Sequence, residues 1–368
     1  MLQNSENITS KNRWHYIDLM KCIGMLFVIA YHSSTYSCSW MDTGEALSFL
    51  RYFFSTILST CVPLFFFANG YLLLNKPFAL KKHITKIVKI IFLTVLWGII
   101  VIALLMPIEN EYLSLGEFIS YLWTWHQGWI NYLWYMGALV CIYVFFPLLK
   151  TTFDADKRAF VCFTVICAIL TFGNTFISDS ASITLNIFKL YEGTGRVNFF
   201  SKFNPFRDIC GYSFVYFCVG GLAHDAKERI EKISARKRIS AATLVIVLSC
   251  FGLFVTGIFL SKFSGTTWDV VWNGYDTVFT FTNVIMLFVL SLSYKGECKL
   301  IRSIAENTLG IYFMHEVFIH LTRKYVINFP VFSTFIGCVI YAFAIMLLCL
   351  FVTKIMLKTP LIKWAVKL

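Results

Sequence analysis

Residues 13–32 read RWHYIDLMKCIGMLFVIAYH, an apolar run long enough to enter a bilayer that nevertheless contains Asp18, Lys21 and His32. On an α-helix, Lys21 and His32 point within about 20° of each other and lie roughly 16 Å apart along the axis. Asp18 falls on the same stripe. A charged side chain inside a membrane helix costs about 2.5–3.5 kcal/mol, so such residues usually face the interior of a helix bundle. An interfacial Asp18–Lys21 pair beside a structural histidine is the alternative, but three such groups on one face favour a functional site.

The composition indicates a membrane protein. The chain is 58% hydrophobic and only 14% charged, with a mean hydropathy of +0.70, which leaves too little polar surface to cover a soluble core. The net charge of +12 does not indicate nucleic-acid binding, because the basic residues lie between apolar runs. The 12 cysteines lie mostly inside those runs without metal-ligand or disulfide spacing, so we predict no metal site.

Hydropathy predicts an all-α integral membrane protein with about ten transmembrane helices in a single domain, 1–368. Each span needs about 20 apolar residues. Ten stretches approach that length, the ones at 209–223 and 304–322 being the weakest; they are 17–37, 49–74, 84–106, 131–149, 159–177, 209–223, 239–260, 278–294, 304–322 and 331–357.

The distribution of basic residues predicts the orientation. With the amino terminus inside, the cytoplasmic segments hold 23 lysines and arginines and the outside segments hold 8. Cytoplasmic loops of membrane proteins carry such an excess. Both termini are therefore predicted to be cytoplasmic, with 1–16 as the amino-terminal segment and 358–368 as a tail.

Several sequence motifs, in this order along the chain, resemble those of acyltransferase family 3. The first is Asp18, Lys21 and His32 at the end of the first span. The others are Pro63-Leu-Phe-Phe-Phe-Ala-Asn69-Gly70-Tyr71, Tyr132-Leu-Trp134-Tyr135, Gly220-Gly221 and Leu-Gly310-Ile-Tyr312-Phe-Met-His315. Each motif is weakly specific alone, and their order and spacing carry the resemblance along most of the chain.

The resemblance implies a membrane-bound O-acyltransferase in the bacterial cytoplasmic membrane. Its donor would be cytoplasmic acyl-CoA, normally acetyl-CoA, and its acceptor a hydroxyl of an extracytoplasmic glycan or lipid-linked sugar. The resemblance further implies that His32 is the general base, a role suited to imidazole near neutral pH. Asp18 would pair with Lys21 or hold its orientation, and Lys21, Lys86 and Lys89 would bind the nucleotide phosphates.

Two positions depart from the family pattern. Lys21 stands where the family usually has arginine, and Lys86-Ile-Val-Lys89 stands where it has R-x-x-R. Lysine keeps the charge but lacks the bidentate fork of arginine. For Lys86 and Lys89, ordinary positive residues beside a span are an equally good interpretation.

The 304–322 span contains Glu306, His315 and Glu316, which cannot all face lipid at low cost. We interpret His315 as a supporting or structural residue, with a proton relay as the alternative. The main rival function is a secondary transporter or flippase of a glycan-related substrate. Such proteins often have inverted repeats and paired broken helices, and no internal repeat is visible in the sequence.

Overall fold

The computed structural model of the protein describes residues 13–33, 40–44, 46–124, 128–190, 203, 211–326, 329, 331, 334–360 and 362–367. The structure is 85% helical, and the described residues include no strand. The all-α prediction is therefore confirmed. The α-helices are α1 (His15–His32), α2 (Trp40–Thr43), α3 (Ala46–Ser55), α4 (Cys61–Leu74), α5 (Leu80–Glu109), α6 (Leu115–Thr124), α7 (Trp134–Ala155), α8 (Lys157–Ala168), α9 (Asn174–Ile187), α10 (Gly211–Glu231), α11 (Ala235–Ser264), α12 (Val278–Ser291), α13 (Lys299–Glu306), α14 (Thr308–Val326) and α15 (Phe335–Lys358).

Six helical stretches of the described chain are long and apolar enough to cross a membrane: Ala46–Leu74, Leu80–Glu109, Leu115–Ala155, Lys157–Ile187, Ala235–Ser264 and Phe335–Lys358. Several contain more than one helix, joined by 3₁₀ or π turns. The remaining four predicted spans coincide with α1, α10, α12 and α14, which are shorter or more polar. The structure therefore supports a multi-pass membrane protein, and ten spans with both termini inside remain a prediction.

Helix α1 lies at the centre of the bundle. It packs against α4, α12, α13, α14 and α15. Its apolar residues recur at helical spacing, and Ile17, Met20, Met25 and Ile29 are almost completely buried. Because neighbours surround this helix, its polar stripe faces other helices rather than lipid. The two ends of α1 carry the two parts of the candidate site.

Glycines bring α4 and α10 into close contact. A Cβ atom added at Gly70 would lie 1.8 Å from the carbonyl oxygen of Phe217, and one added at Gly220 would lie 2.1 Å from that of Phe67. Both obstacles are backbone atoms, which cannot swing aside. Small residues at such crossings let helix backbones approach closely in membrane proteins.

Replacing Gly220 with alanine should therefore destabilise the fold. The added methyl group has to push α4 and α10 apart, and overpacking of this kind costs about 1–3 kcal/mol. We expect a clear fall in the unfolding temperature of the detergent-purified protein. Gly137→Ala is the matched control, because nothing lies within 4 Å of a Cβ added there. Equal unfolding temperatures for the two variants would contradict the close packing of α4 and α10.

Candidate functional site

The carboxyl-terminal end of α1 carries a histidine–carboxylate pair. Nδ1 of His32 lies 2.6 Å from Oε1 of Glu316, which comes from α14. The Glu316 residue is only 8% exposed, whereas the His32 side chain is 26% exposed. A carboxylate accepts the hydrogen bond from Nδ1–H, and in a neutral imidazole this tautomer leaves the lone pair on Nε2. This is the arrangement in which a carboxylate orients a general base and stabilises the imidazolium that forms when the base takes a proton.

A second histidine lies beside the pair. The His315 ring centroid is 5.3 Å from that of His32, and its Nδ1 lies 2.5 Å from the carbonyl oxygen of Tyr312. A carbonyl oxygen only accepts, so Nδ1 carries the hydrogen. Nε2 is therefore an acceptor; it is buried without a hydrogen-bond partner and lies 3.9 Å from Oε1 of Glu316. These contacts hold the His315 ring beside the pair, and its role as a supporting residue or as a proton relay stays a prediction.

Among the described residues, His32, His315 and Glu316 form the one group of side chains that could together bind a metal ion. Ligand atoms of His32, His315 and Glu316 all lie within 4.8 Å of one another. Two ligands on one zinc ion, each bonded at about 2.0–2.1 Å, are separated by roughly 3.3 Å in tetrahedral geometry. The 2.6 Å separation between His32 and Glu316 is a direct hydrogen bond instead, and it leaves no room for an ion between these two atoms.

Glu316 also connects the pair to a third histidine. Its Oε2 lies 3.7 Å from Nε2 of His320, and Nδ1 of His320 lies 2.6 Å from Oε1 of Glu109 at the end of α5. Glu109 is more exposed than Glu316, with 37% of its side chain accessible against 10%. The titratable groups thus form a chain from His32 towards the surface.

Two tyrosines lie beside the histidines. Tyr132 donates its hydroxyl hydrogen to the carbonyl of Phe313 over 2.9 Å, and the Tyr312 hydroxyl donates to the carbonyl of Tyr132. The Tyr132 ring is 6.4 Å from that of His32 and 5.0 Å from that of His315, between centroids. This mutual hydrogen bonding fixes the short 3₁₀ segment Gly128–Leu133 against α14.

A cavity of about 520 Å³ begins at the amino-terminal end of α1, a size typical of a site for a small ligand or cofactor. It runs along α1 as far as Val28, one helical turn before His32. Tyr135 and Tyr312 also line it. His32 is not among the described residues that line it, so the cavity stops just short of the histidine–carboxylate pair.

The cavity lining is strongly basic. It contains five basic side chains, Arg13, Lys21, Lys76, Lys86 and Lys367, and two acidic ones, Asp18 and Glu306. Both carboxylates bind Arg13, at 2.5 Å and 2.6 Å. Among the described residues, no carboxylate forms an ion pair with the four lysines. The excess positive charge is therefore available to an anionic ligand.

Hydrogen bonds hold two of these lysines in place. Lys21 Nζ donates to the carbonyl oxygen of Ala305 over 2.9 Å, and Lys86 Nζ donates to the Tyr143 hydroxyl over 3.1 Å. Each ammonium group has further hydrogens to donate. Two of the three predicted phosphate-binding lysines are thus brought together at one cavity.

Lys89 and Asp18 are placed differently from those two lysines. Lys89 does not belong to the cavity lining, because three helical steps turn its side chain about 60° away from that of Lys86. The Asp18 carboxylate pairs with Arg13 rather than with Lys21. Fourteen residues of helix, roughly 21 Å, separate it from His32. The structure thus brings Lys21, Lys86 and Asp18 to one end of α1 and leaves His32 at the other.

Sequence reasoning missed two contributors. The sequence presents Arg13 only as a basic residue beside the first span, yet Arg13 lies in the cavity and binds both acidic groups. The sequence also shows that Glu316 is an expensive charge in a span, but it does not identify its partner. That cost was the available signal, since a buried carboxylate needs a partner. No local pattern in the sequence says that the partner is His32.

The helices and this site define a multi-pass membrane protein with a histidine–carboxylate pair next to a cavity suited to an anionic ligand. Comparison with family models makes this specific: the acyltransferase domain model of the acyltransferase 3 family matches residues 14–354. The chain belongs to this family, as the resemblance in the sequence indicated. Family membership favours an acyl-transferring enzyme over the transporter that the sequence alone left open.

No match was found among curated proteins or among solved structures.

Proposed function

We propose that this protein moves an acyl group, acetyl in the simplest case, from cytoplasmic acyl-CoA to a hydroxyl of an extracytoplasmic cell-surface glycan or lipid-linked sugar. The proposed location is the bacterial cytoplasmic membrane. One observation carries the proposal: the basic cavity follows α1 from Lys21 to Val28 and stops one turn short of the His32–Glu316 pair. A long anionic donor bound there would direct its far end at a general base.

The dimensions of α1 suit such a donor. The roughly 16 Å between Lys21 and His32 along the helix is comparable with an extended pantetheine arm. The phosphates would lie among Lys21, Lys86 and the other basic side chains of the cavity, where the excess of positive charge matches their negative charge. The thioester would then pass Val28 and lie next to His32.

In the proposed reaction, Nε2 of His32 takes the proton of the acceptor hydroxyl as its oxygen attacks the thioester carbonyl. The carbon–sulfur bond breaks, and the CoA thiolate leaves and takes the proton back from the imidazolium. The products are an ester and CoA, and the histidine regains its initial state. Glu316 would hold the ring and stabilise the transient positive charge. Asp18 would act as a positioning residue by holding Arg13 at the cavity rim.

The charge pattern of the sequence would also orient the site in the membrane. The excess of basic residues in the predicted inside segments favours a cytoplasmic location for the start of α1. The cavity would then be open to cytoplasmic acyl-CoA, and His32 would lie nearer the outer face. A single bundle could in this way join substrates from opposite sides of the membrane.

The binding of CoA by the purified protein tests the proposal. Thermal unfolding in detergent should shift upward with CoA and acetyl-CoA, and less with ADP at the same concentration because ADP lacks the pantetheine arm; binding only to the folded state stabilises it. A folded sample that shows no shift at millimolar CoA would overturn the donor assignment and favour the transporter.

Lys86→Ala should weaken CoA binding about tenfold, because charge-assisted hydrogen bonds contribute about 1.5–3 kcal/mol. Lys89→Ala, three residues away on α5, should change the dissociation constant less than about twofold, because Lys89 does not line the cavity. Titration calorimetry of both variants at one ionic strength measures this difference. If both lysines serve only as positive residues beside a span, neither substitution will affect binding.

A further inference from the structure

The segment 362–367, which follows α15, is folded onto the bundle. It contains the short 3₁₀ turn Lys363–Ala365, and Ala365 and Val366 are only 5% and 3% exposed. The sequence predicted this region as part of a cytoplasmic tail. Burial to this extent requires a specific docking site.

Trp97 of α5 provides that site. Its indole Nε1–H donates to the carbonyl oxygen of Ala365 over 2.7 Å, in a buried position. The ring of Trp97 in turn stacks on Phe313 of α14, with centroids 5.3 Å apart and an interplanar angle of 6°. The ring of Trp364 packs against Phe92, also on α5, with centroids 5.6 Å apart. The segment is thus attached to α5, at a tryptophan that itself packs against α14, the helix that carries Glu316.

Docking brings the end of the segment to the basic cavity. Val366 and Lys367 both line it, so Lys367 shares one cavity with Lys21 and Lys86 although the three residues come from distant parts of the sequence. Lys363, which belongs to the same segment, is not part of the lining. The segment therefore presents one of its two lysines to the site and leaves the other outside.

We propose that segment 362–367 forms one side of the donor site and that Lys367 is a ligand for the phosphate groups of the donor nucleotide. This inference rests on the proposed function, since it assigns a further binding residue to the same cavity. A nucleotide with several phosphates needs several cations, and Lys367 adds one that no motif of the sequence indicates. An anionic lipid headgroup offers the same phosphate chemistry, and the experiment has to distinguish the two sources.

The test is CoA binding by the full-length protein in detergent without added lipid, for the wild type, Lys367→Ala and Lys363→Ala. Lys367→Ala should raise the dissociation constant about tenfold at low salt, and Lys363→Ala should leave it within about twofold. The ratio between Lys367→Ala and wild type should shrink as salt rises, because screening weakens a charge–phosphate contact. A merely structural defect would not depend on salt in this way.

Trp97→Phe provides a second, independent variant. It keeps an aromatic ring against Phe313 but removes the N–H group that holds Ala365, so CoA affinity should fall several-fold in the folded protein. The unfolding temperature without ligand should also fall, because a buried carbonyl loses its donor, and binding is therefore measured well below that temperature. If the wild type binds CoA and Lys367→Ala binds it with unchanged affinity, this inference alone is overturned. The same result is expected if Lys367 binds a lipid headgroup instead of the donor. Failure of the folded wild-type protein to bind CoA would overturn the proposed function as well.

Discussion

Replacing His32 with glutamine should lower acyl transfer by about 10²–10⁴-fold, the usual contribution of a general base. Glutamine can still donate a hydrogen bond to Glu316, so the fold around the pair should survive, but its amide cannot take a proton from a hydroxyl. Transfer of radiolabelled acetyl groups from acetyl-CoA to glycan material in membranes measures the effect. CoA binding should remain, because His32 does not line the cavity.

His15→Gln is the matched control for this substitution. His15 lies at the other end of the same helix, is exposed to a similar extent, 25% against 26%, and also faces a carboxylate, Glu297 at 3.2 Å. We expect transfer within about twofold of wild type, as for most surface substitutions. Full activity of His32→Gln, or equal losses in the two variants, would contradict the assignment of His32 as the base.

Glu316→Gln should lower transfer by about 10²-fold or more while leaving CoA binding intact. The amide oxygen can still accept from Nδ1 of His32, but the negative charge that stabilises the imidazolium is lost. In this buried environment, that charge interacts with the imidazolium more strongly than it would in water. The measurement is the same transfer assay, made at saturating acetyl-CoA so that small changes in donor affinity do not contribute.

The Glu109→Gln variant tests whether the His32–Glu316 pair alone or the longer chain of titratable groups carries the proton. Glu109 contacts His320 and not His32, so we expect its substitution to change transfer only a few-fold. A loss as large as that of Glu316→Gln would mean that the whole chain, rather than the His32–Glu316 pair, carries the proton. That result would require a different mechanism.

Much of the fold could be predicted because the membrane imposes it. Long apolar stretches have to become helices, since backbone groups in lipid must bond internally, and every predicted span contains a helix. The breaks within spans could not be predicted. The 3₁₀ turn at Thr56–Thr60 and the π turn at Ile169–Gly173 interrupt continuous apolar sequence, and only tertiary packing distinguishes such turns from ordinary helix.

The site was predictable where a single helix determines it. Periodicity along α1 put Lys21 and His32 on one stripe, and Lys21 does line the cavity that leads towards His32. Partners from other helices were beyond this reasoning. Glu316 meets His32 only because α14 packs beside α1, and Arg13 reaches Glu306 through the packing of α13. The same limit applies to Lys86 and Lys89, whose different directions depend on the rotation of α5.

The most direct test of the account is an experimental structure with a non-reactive thioether analogue of acetyl-CoA. The account predicts phosphate density among Lys21, Lys86 and Lys367, a pantetheine arm passing Val28, and the carbonyl carbon next to Nε2 of His32. If Tyr132 and Tyr312 block the space between Val28 and His32, these two side chains should shift when the analogue binds. Analogue bound elsewhere, or with its acyl end directed away from His32, would contradict the central claim that this cavity delivers the donor to the His32–Glu316 pair.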